Sequence, residues 1–198
     1  MWLALCVLLV ASVGVSHAAA PAGSWWNTSY PFRYKISIGA GPSALASSYS
    51  VSITTFDHAD AVTVGRSLAS GNDVRIVYWN GSTWVELNRV LDPQSSWNTS
   101  APQLWFRTQT NIAASATNDN YYLYFGNVST AGAPPADASL VFPLFDDFNG
   151  SSLSASLWNQ SGTSVSSGVL TLPVSAWIRS VATFGQNTMF ESSLRLPS

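Results

Sequence analysis

Apolar and polar residues alternate with a period of two in several short windows between residues 25 and 127. Tyr34, Ile36 and Ile38 alternate with Lys35 and Ser37, and Tyr49, Val51 and Ile53 with Ser50, Ser52 and Thr54. Leu104 and Phe106 flank Trp105, and Tyr121, Leu123 and Phe125 alternate with Tyr122 and Tyr124. Such windows predict half-buried antiparallel strands, with turn-rich polar stretches between them. No window of helical period is seen after the first twenty residues. The pattern predicts an all-β chain built on an antiparallel β-sandwich.

The run Val128-Ser129-Thr130-Ala131-Gly132-Ala133-Pro134-Pro135-Ala136 breaks this pattern. Adjacent prolines cannot occupy a central strand, so residues 128–139 are expected to form a stiff linker. Four more strands are expected beyond it, around Val141–Phe148, Val169–Leu172, Trp177–Phe184 and Thr188–Leu196. The stretch 140–198 falls short of the roughly 100 residues a sandwich needs. It therefore reads as an incomplete β segment.

Asn80-Gly81 lies between two apolar runs and predicts a two-residue type I′ hairpin. That register pairs Tyr78 with Thr83, Val77 with Trp84, Ile76 with Val85 and Arg75 with Glu86. Val74, Ile76, Tyr78, Thr83, Val85 and Leu87 then share a core face. Arg75, Val77, Trp79, Ser82, Trp84 and Glu86 share the other face, with the Arg75–Glu86 pair directly across the ladder. Trp79 and Trp84 become diagonal neighbours, roughly 7–8 Å apart.

Residues 1–20 change the picture at the N-terminus. Met1–Val15 is almost wholly apolar, and Ser16-His17-Ala18-Ala19-Ala20 supplies small residues for cleavage. The run is too short to span a membrane and matches a signal peptide, although no Lys or Arg precedes it. Export would remove Cys6, the one cysteine, so the mature chain would fold without a disulfide and would not be a transmembrane protein. Charged residues make up only 9% of the chain, with net charge −2, and no basic stripe is present. Nucleic acid is therefore not an expected partner.

Trp25-Trp26 before Tyr30, Asp73-Val74-Arg75-Ile76, Leu104-Trp105-Phe106-Arg107 and Tyr122-Leu123-Tyr124-Phe125-Gly126-Asn127 occur in a familiar order. They are followed by Phe145-Asp146-Asp147-Phe148-Asn149-Gly150 and Leu157-Trp158. Over residues 25–148 the chain resembles the domain-of-unknown-function family 2341. The family's Tyr-Gly-Asn signature is here Phe125-Gly126-Asn127. The resemblance implies an exported prokaryotic surface protein, followed from residue 142 by the opening of a concanavalin-A-like (laminin-G-like) jelly roll. Some relatives are linked to proton-channel components of the MotA/TolQ/ExbB type. The family has no established catalytic residues to carry over.

Asp146 and Asp147, on one strand, would point to opposite faces and could not flank one glycosidic bond. The Glu-x-Asp-x-x-Glu pattern of jelly-roll glucanases is absent, Glu86 and Glu191 being the only glutamates. Jelly rolls of this kind often hold a structural calcium, for which Asp146 or Asp147 is a candidate ligand; no other cofactor is expected. Asp57-His58-Ala59-Asp60 reads as a solvated loop. His58 lacks a Gly-x-Ser-x-Gly elbow and enough partners for zinc. The resulting expectation is an exported, non-catalytic β-sandwich module for cell-surface recognition or adhesion, with a glycan or surface polymer as partner. Trp79, Trp84, Arg75 and Glu86 form the candidate ligand face. The rivals are the front of a secreted glycoside hydrolase and an envelope accessory of an ion-driven transport complex.

Overall fold

The computed structural model describes residues 13–14, 25–129, 132–185, 188, 190 and 192. The alternating windows of the first segment are strands. They comprise β1 (Val13–Gly14), β2 (Phe32–Gly39), β3 (Ser50–Ile53), β4 (Arg75–Trp79), β5 (Trp84–Leu87), β6 (Arg89–Leu91), β7 (Leu104–Arg107) and β8 (Thr117–Phe125). Two antiparallel sheets result, one ordered β1-β2-β8-β4-β5 and the other β3-β7-β6.

The period of two decides what each sheet buries. Ile36, Ile38, Ile76, Tyr78, Leu87, Tyr121, Leu123 and Phe125 of the larger sheet join one core with Val51, Ile53, Leu104 and Phe106 of the smaller. Each such side chain contributes about 1.5–3 kcal/mol when fully removed from water. The fold is thus an all-β sandwich of the kind the alternation implies. The alternate residues of the larger sheet, including Val77, Tyr122 and Tyr124, belong to a separate outer cluster.

The chain divides into two compact units, Met1–Pro143 and Leu144–Ser198. The second unit contains β9 (Trp158–Ser161), β10 (Ser164–Ser166), β11 (Val169–Thr171) and β12 (Trp177–Ser180). These pair as two-stranded sheets, β10 with β11 and β12 with β9. Val165 is the one buried hydrophobic residue among the described residues of this unit, whereas Val174 is 98% exposed. Two-stranded ribbons lacking a packed face are weakly stable by themselves.

Several expectations need correction. Val141–Phe148 is no strand: a 3-10 turn at Ala138–Leu140 leads into irregular chain, where Asp146 and Asp147 accept backbone N–H bonds that a ladder would have used. The strand expected at Thr188–Leu196 lies largely outside the described residues. So does the signal peptide, apart from Val13–Gly14, which pair with Ile36 and Lys35.

The sequence 57–60 is not a loop either. His58–Thr63 is a helix, α1, with Asp57 as N-cap accepting from the Asp60 N–H. At six residues it is too short to show a helical period.

The proline-rich segment is bonded along the first unit rather than held off as a spacer. Arg75 Nη2 donates to the Gly132 carbonyl at 2.6 Å, and the Arg89 N–H to that of Pro135 at 3.0 Å. Asp137 N–H donates to Asn88 Oδ1 at 2.8 Å. Val141 is fully buried, and its carbonyl accepts from Ser50 Oγ and Arg107 Nε. Proline cannot donate, but its carbonyl still accepts, so a proline-rich strap can be fixed through acceptors alone.

Candidate functional site

The candidate face is built by the β4–β5 hairpin and the strands beside it. Its turn has four residues, not two. Asn80 N–H donates to the Thr83 carbonyl, and Asn80 Oδ1 accepts from the N–H groups of Ser82 and Thr83 at 2.9 and 2.8 Å. This side-chain-built turn competes with the two-residue I′ alternative, while Gly81 takes φ +100°.

The register is therefore Ile76 with Leu87, Val77 with Glu86, Tyr78 with Val85 and Trp79 with Trp84. It differs from the expected pairing by two residues. A shift of two preserves the face of every side chain, whereas a shift of one would reverse it. Trp79 and Trp84 are therefore on the outer face as expected, but directly opposed rather than diagonal. Their ring centroids are 4.9 Å apart with an interplanar angle of 51°. Both indoles are half-buried.

The same shift makes Arg75 and Glu86 diagonal rather than directly paired. Arg75 lies opposite Tyr124, yet its Nε reaches Glu86 Oε1 at 2.9 Å. Its remaining donors bind the Asn72 carbonyl at 2.7 Å and the Gly132 carbonyl at 2.6 Å. Arg75 is thus a buried clamp whose guanidinium is committed within the fold, and the sequence reading of it as a ligand-facing group does not match its placement. Glu86 remains partly exposed. Burial raises its pKa, against the lowering influence of Arg75 and Arg89.

The outer face is larger than the hairpin. Trp84 meets Tyr122 edge-on at 5.3 Å and Tyr124 at 6.0 Å. Trp25 and Trp26 pack on Tyr124 from the segment before β2, at 5.3 and 5.5 Å. Hydrogen bonds from Trp25 Nε1 to the Tyr30 carbonyl and from Trp26 N–H to the Tyr124 hydroxyl hold that segment. Arg33 enters the same layer from β2: its Nη1 donates to the Tyr124 hydroxyl at 3.0 Å. Its Cζ lies 4.6 Å from the Trp25 ring and 4.9 Å from that of Tyr122. The sequence reading did not place Trp25, Trp26, Arg33, Tyr122 or Tyr124 on this face. The available signal was phase: Tyr122 and Tyr124 fall between the core residues Tyr121, Leu123 and Phe125.

A second polar group lies inside the sandwich. His58, expected in solvent, is fully buried. Its Nδ1 accepts the Asn98 N–H at 2.8 Å, so its proton resides on Nε2, which faces Ser67 Oγ at 3.1 Å. Ser67 then donates to Asp73, whose carboxylate also receives the N–H groups of Leu68 and Gly126. The order His–Ser–Asp gives the serine proton to a carboxylate and a histidine proton to the serine oxygen. Nucleophile activation requires the reverse, a histidine lone pair taking the serine proton. Nearby, Arg89 donates to the carbonyls of Val74 and Gly71 and lies 4.6 Å from the Trp97 ring. Burial, followed by the Arg75 charge, lowers its pKa to about 10.

Asp146 accepts from Phe148 N–H and from Trp158 Nε1 at 2.7 Å. Asp147 accepts from Asn149 through both backbone and side chain. The two carboxylates fasten a turn. No group of three or more His, Cys, Asp or Glu suited to a metal occurs among the described residues. Among those residues, no helix is long and apolar enough to cross a membrane.

No curated protein and no solved structure matches the chain. The concanavalin-A-like expectation for residues 140–198 thus has no structural counterpart behind it. A family model does match, beginning later than the motifs suggested and continuing into β9. It is the model described as a domain of unknown function, DUF2341, and it matches residues 70–161.

Proposed function

We propose that the protein is an exported, non-catalytic recognition module that binds carbohydrate at a cell surface through the outer face of the sheet formed by β2, β8, β4 and β5. The observation that carries this reading is the Trp79–Trp84 pair, half-exposed on the face turned away from the core. Aromatic area beside a few placed polar groups suits the apolar face and hydroxyl edge of a pyranose. Glu86 supplies an acceptor at the rim of this pair. Arg75 serves to hold Glu86 in place.

The reading as a binder rather than an enzyme is supported by how the acidic and nucleophilic groups are used. Ser67 gives its proton to Asp73, Glu86 pairs with Arg75, and Asp146 and Asp147 hold their own turn. The reading as an exported protein is supported by the apolar run of residues 1–15 and the small residues after it.

Replacement of both Trp79 and Trp84 by Ala tests the site. Circular dichroism reports the fold and a glycan screen reports binding. Loss of binding with the fold retained is expected. If the double variant unfolds, the indoles are packing groups and the site must be given up.

A further inference from the structure

Arg33 is 8% exposed, and its Nη2 is buried without a hydrogen-bond partner among the described residues. Its guanidinium has no ion pair among the described residues: Glu86 pairs with Arg75, and Asp119 with Lys35 at 2.8 Å. The guanidinium is instead set among the rings of Trp25, Tyr122 and Tyr124. Nη1 donates to the Tyr124 hydroxyl, but a buried donor left without an acceptor, as Nη2 is, is costly to a fold. Arg75 and Arg89, the other buried arginines of this unit, have bonded guanidinium groups.

From this we infer that Arg33 is the charge-reading group of the proposed glycan face, and that the favoured ligand is an acidic glycan bearing a uronate carboxylate. The inference rests on the carbohydrate reading given above and specifies its ligand class. Nη2 supplies the free donor, and no carboxylate of the described residues forms an ion pair with this guanidinium. Aromatic rings surround the guanidinium, and its planar fork matches the two oxygens of a carboxylate. Trp25 lies over the guanidinium, with its indole N–H bonded to the Tyr30 carbonyl at 2.8 Å and its ring against Tyr124. Carboxylate entry would move Trp25 off the guanidinium, so binding carries an optical signal.

The test uses the full chain, with tryptophan fluorescence and calorimetry as readouts. The probes are tetragalacturonate, its methyl ester, a sulfated tetrasaccharide and neutral cellotetraose. Tetragalacturonate is expected to bind about tenfold more tightly than its methyl ester, the worth of one charge-assisted bond. It is also expected to shift the tryptophan emission. Arg33→Met should abolish that preference. The ester comparison needs no variant, so it remains decisive even if Arg33→Met fails to fold. Equal affinity for acid and ester, or a preference surviving in a folded Arg33→Met, overturns the inference while leaving the glycan reading intact. Sulfated sugar binding as tightly as uronate overturns the carboxylate assignment. Binding of none of the four overturns both readings.

Discussion

Trp79 and Trp84 face each other directly across the β4–β5 ladder, 4.9 Å between ring centroids. This opposition follows from Asn80, whose side chain captures two N–H groups and enlarges the turn to four residues. Direct opposition gives the closest cross-strand contact available to two indoles, whereas a diagonal pair would stand further apart.

The pair should therefore be energetically coupled. Trp84 also contacts Tyr122 and Tyr124, so Trp84→Ala should cost more than Trp79→Ala, about 1–3 kcal/mol against the larger values seen in full cores. A double-mutant cycle by urea unfolding should give a coupling of about 0.5–1.5 kcal/mol. Strict additivity would show that the two rings do not interact in solution.

The buried histidine makes stability depend on pH. Burial pushes the His58 pKa below its usual 6.5, against the raising influence of Asp73 and Asp57, while Arg89 lowers it further. The unfolded chain therefore binds this proton more readily than the folded one. Stability is full above 6.5 and falls as pH drops from there towards the folded pKa, by up to about 1.4 kcal/mol per unit. Unfolding midpoints at pH 7.5 and 5.5 should differ in this sense, and His58→Gln should flatten the difference. A midpoint that rises on acidification would reverse the assignment.

The strap should be part of the folded unit. A chain ending at Pro143 keeps Val141 in its slot and keeps acceptors for the Arg75 guanidinium and the Arg89 N–H. One ending at Ser129 loses all three. Val141 alone is worth about 1.5–3 kcal/mol, and each orphaned buried donor adds about 1–3 kcal/mol. The shorter chain should unfold at a clearly lower urea concentration. Equal midpoints would return residues 132–143 to the status of a linker.

The legible and illegible parts of this chain divide by range of interaction. Alternation at Ile36, Ile76, Leu104 and Leu123 predicted both sheets because period-two burial is local and repeated. The hairpin faces were legible for the same reason, and they survived a wrong register because the error was an even number. The register itself was not legible, since a polar side chain, rather than the Asn-Gly backbone preference alone, sets the turn. His58 read as solvated because its partners, Asn98, Ser67 and Asp73, are brought together only by the closed sandwich. Arg33 and Trp25 were missed as site residues because nothing in their spacing marks them. The strap was misread because Pro134-Pro135 signals the absence of donors and says nothing about where the carbonyls go.

Gly71 provides a position where two distinct physical costs can be separated. It adopts φ +67°, and a Cβ there would lie 2.3 Å from Trp97 Cδ2. Trp97 in turn packs on His58 at 4.9 Å and on Arg89 at 4.6 Å, and the Gly71 carbonyl accepts from Arg89 Nη2. Gly71→Ala therefore imposes left-handed strain and also displaces the ring that supports the buried polar group. Gly65 has φ +69° with open space around its Cβ position, so Gly65→Ala reports the backbone cost alone. Gly41 has neither feature, and Gly41→Ala serves as the baseline. Expected losses are close to zero for Gly41→Ala, about 1–2 kcal/mol for Gly65→Ala and about 3 kcal/mol or more for Gly71→Ala. Urea unfolding of the three variants measures the series. Trp97→Leu should recover part of the Gly71→Ala excess, because a smaller side chain relieves the overlap but not the positive φ. If Gly65→Ala and Gly71→Ala lose the same amount, the Trp97 contact contributes nothing and the closeness of Gly71 to that ring is incidental.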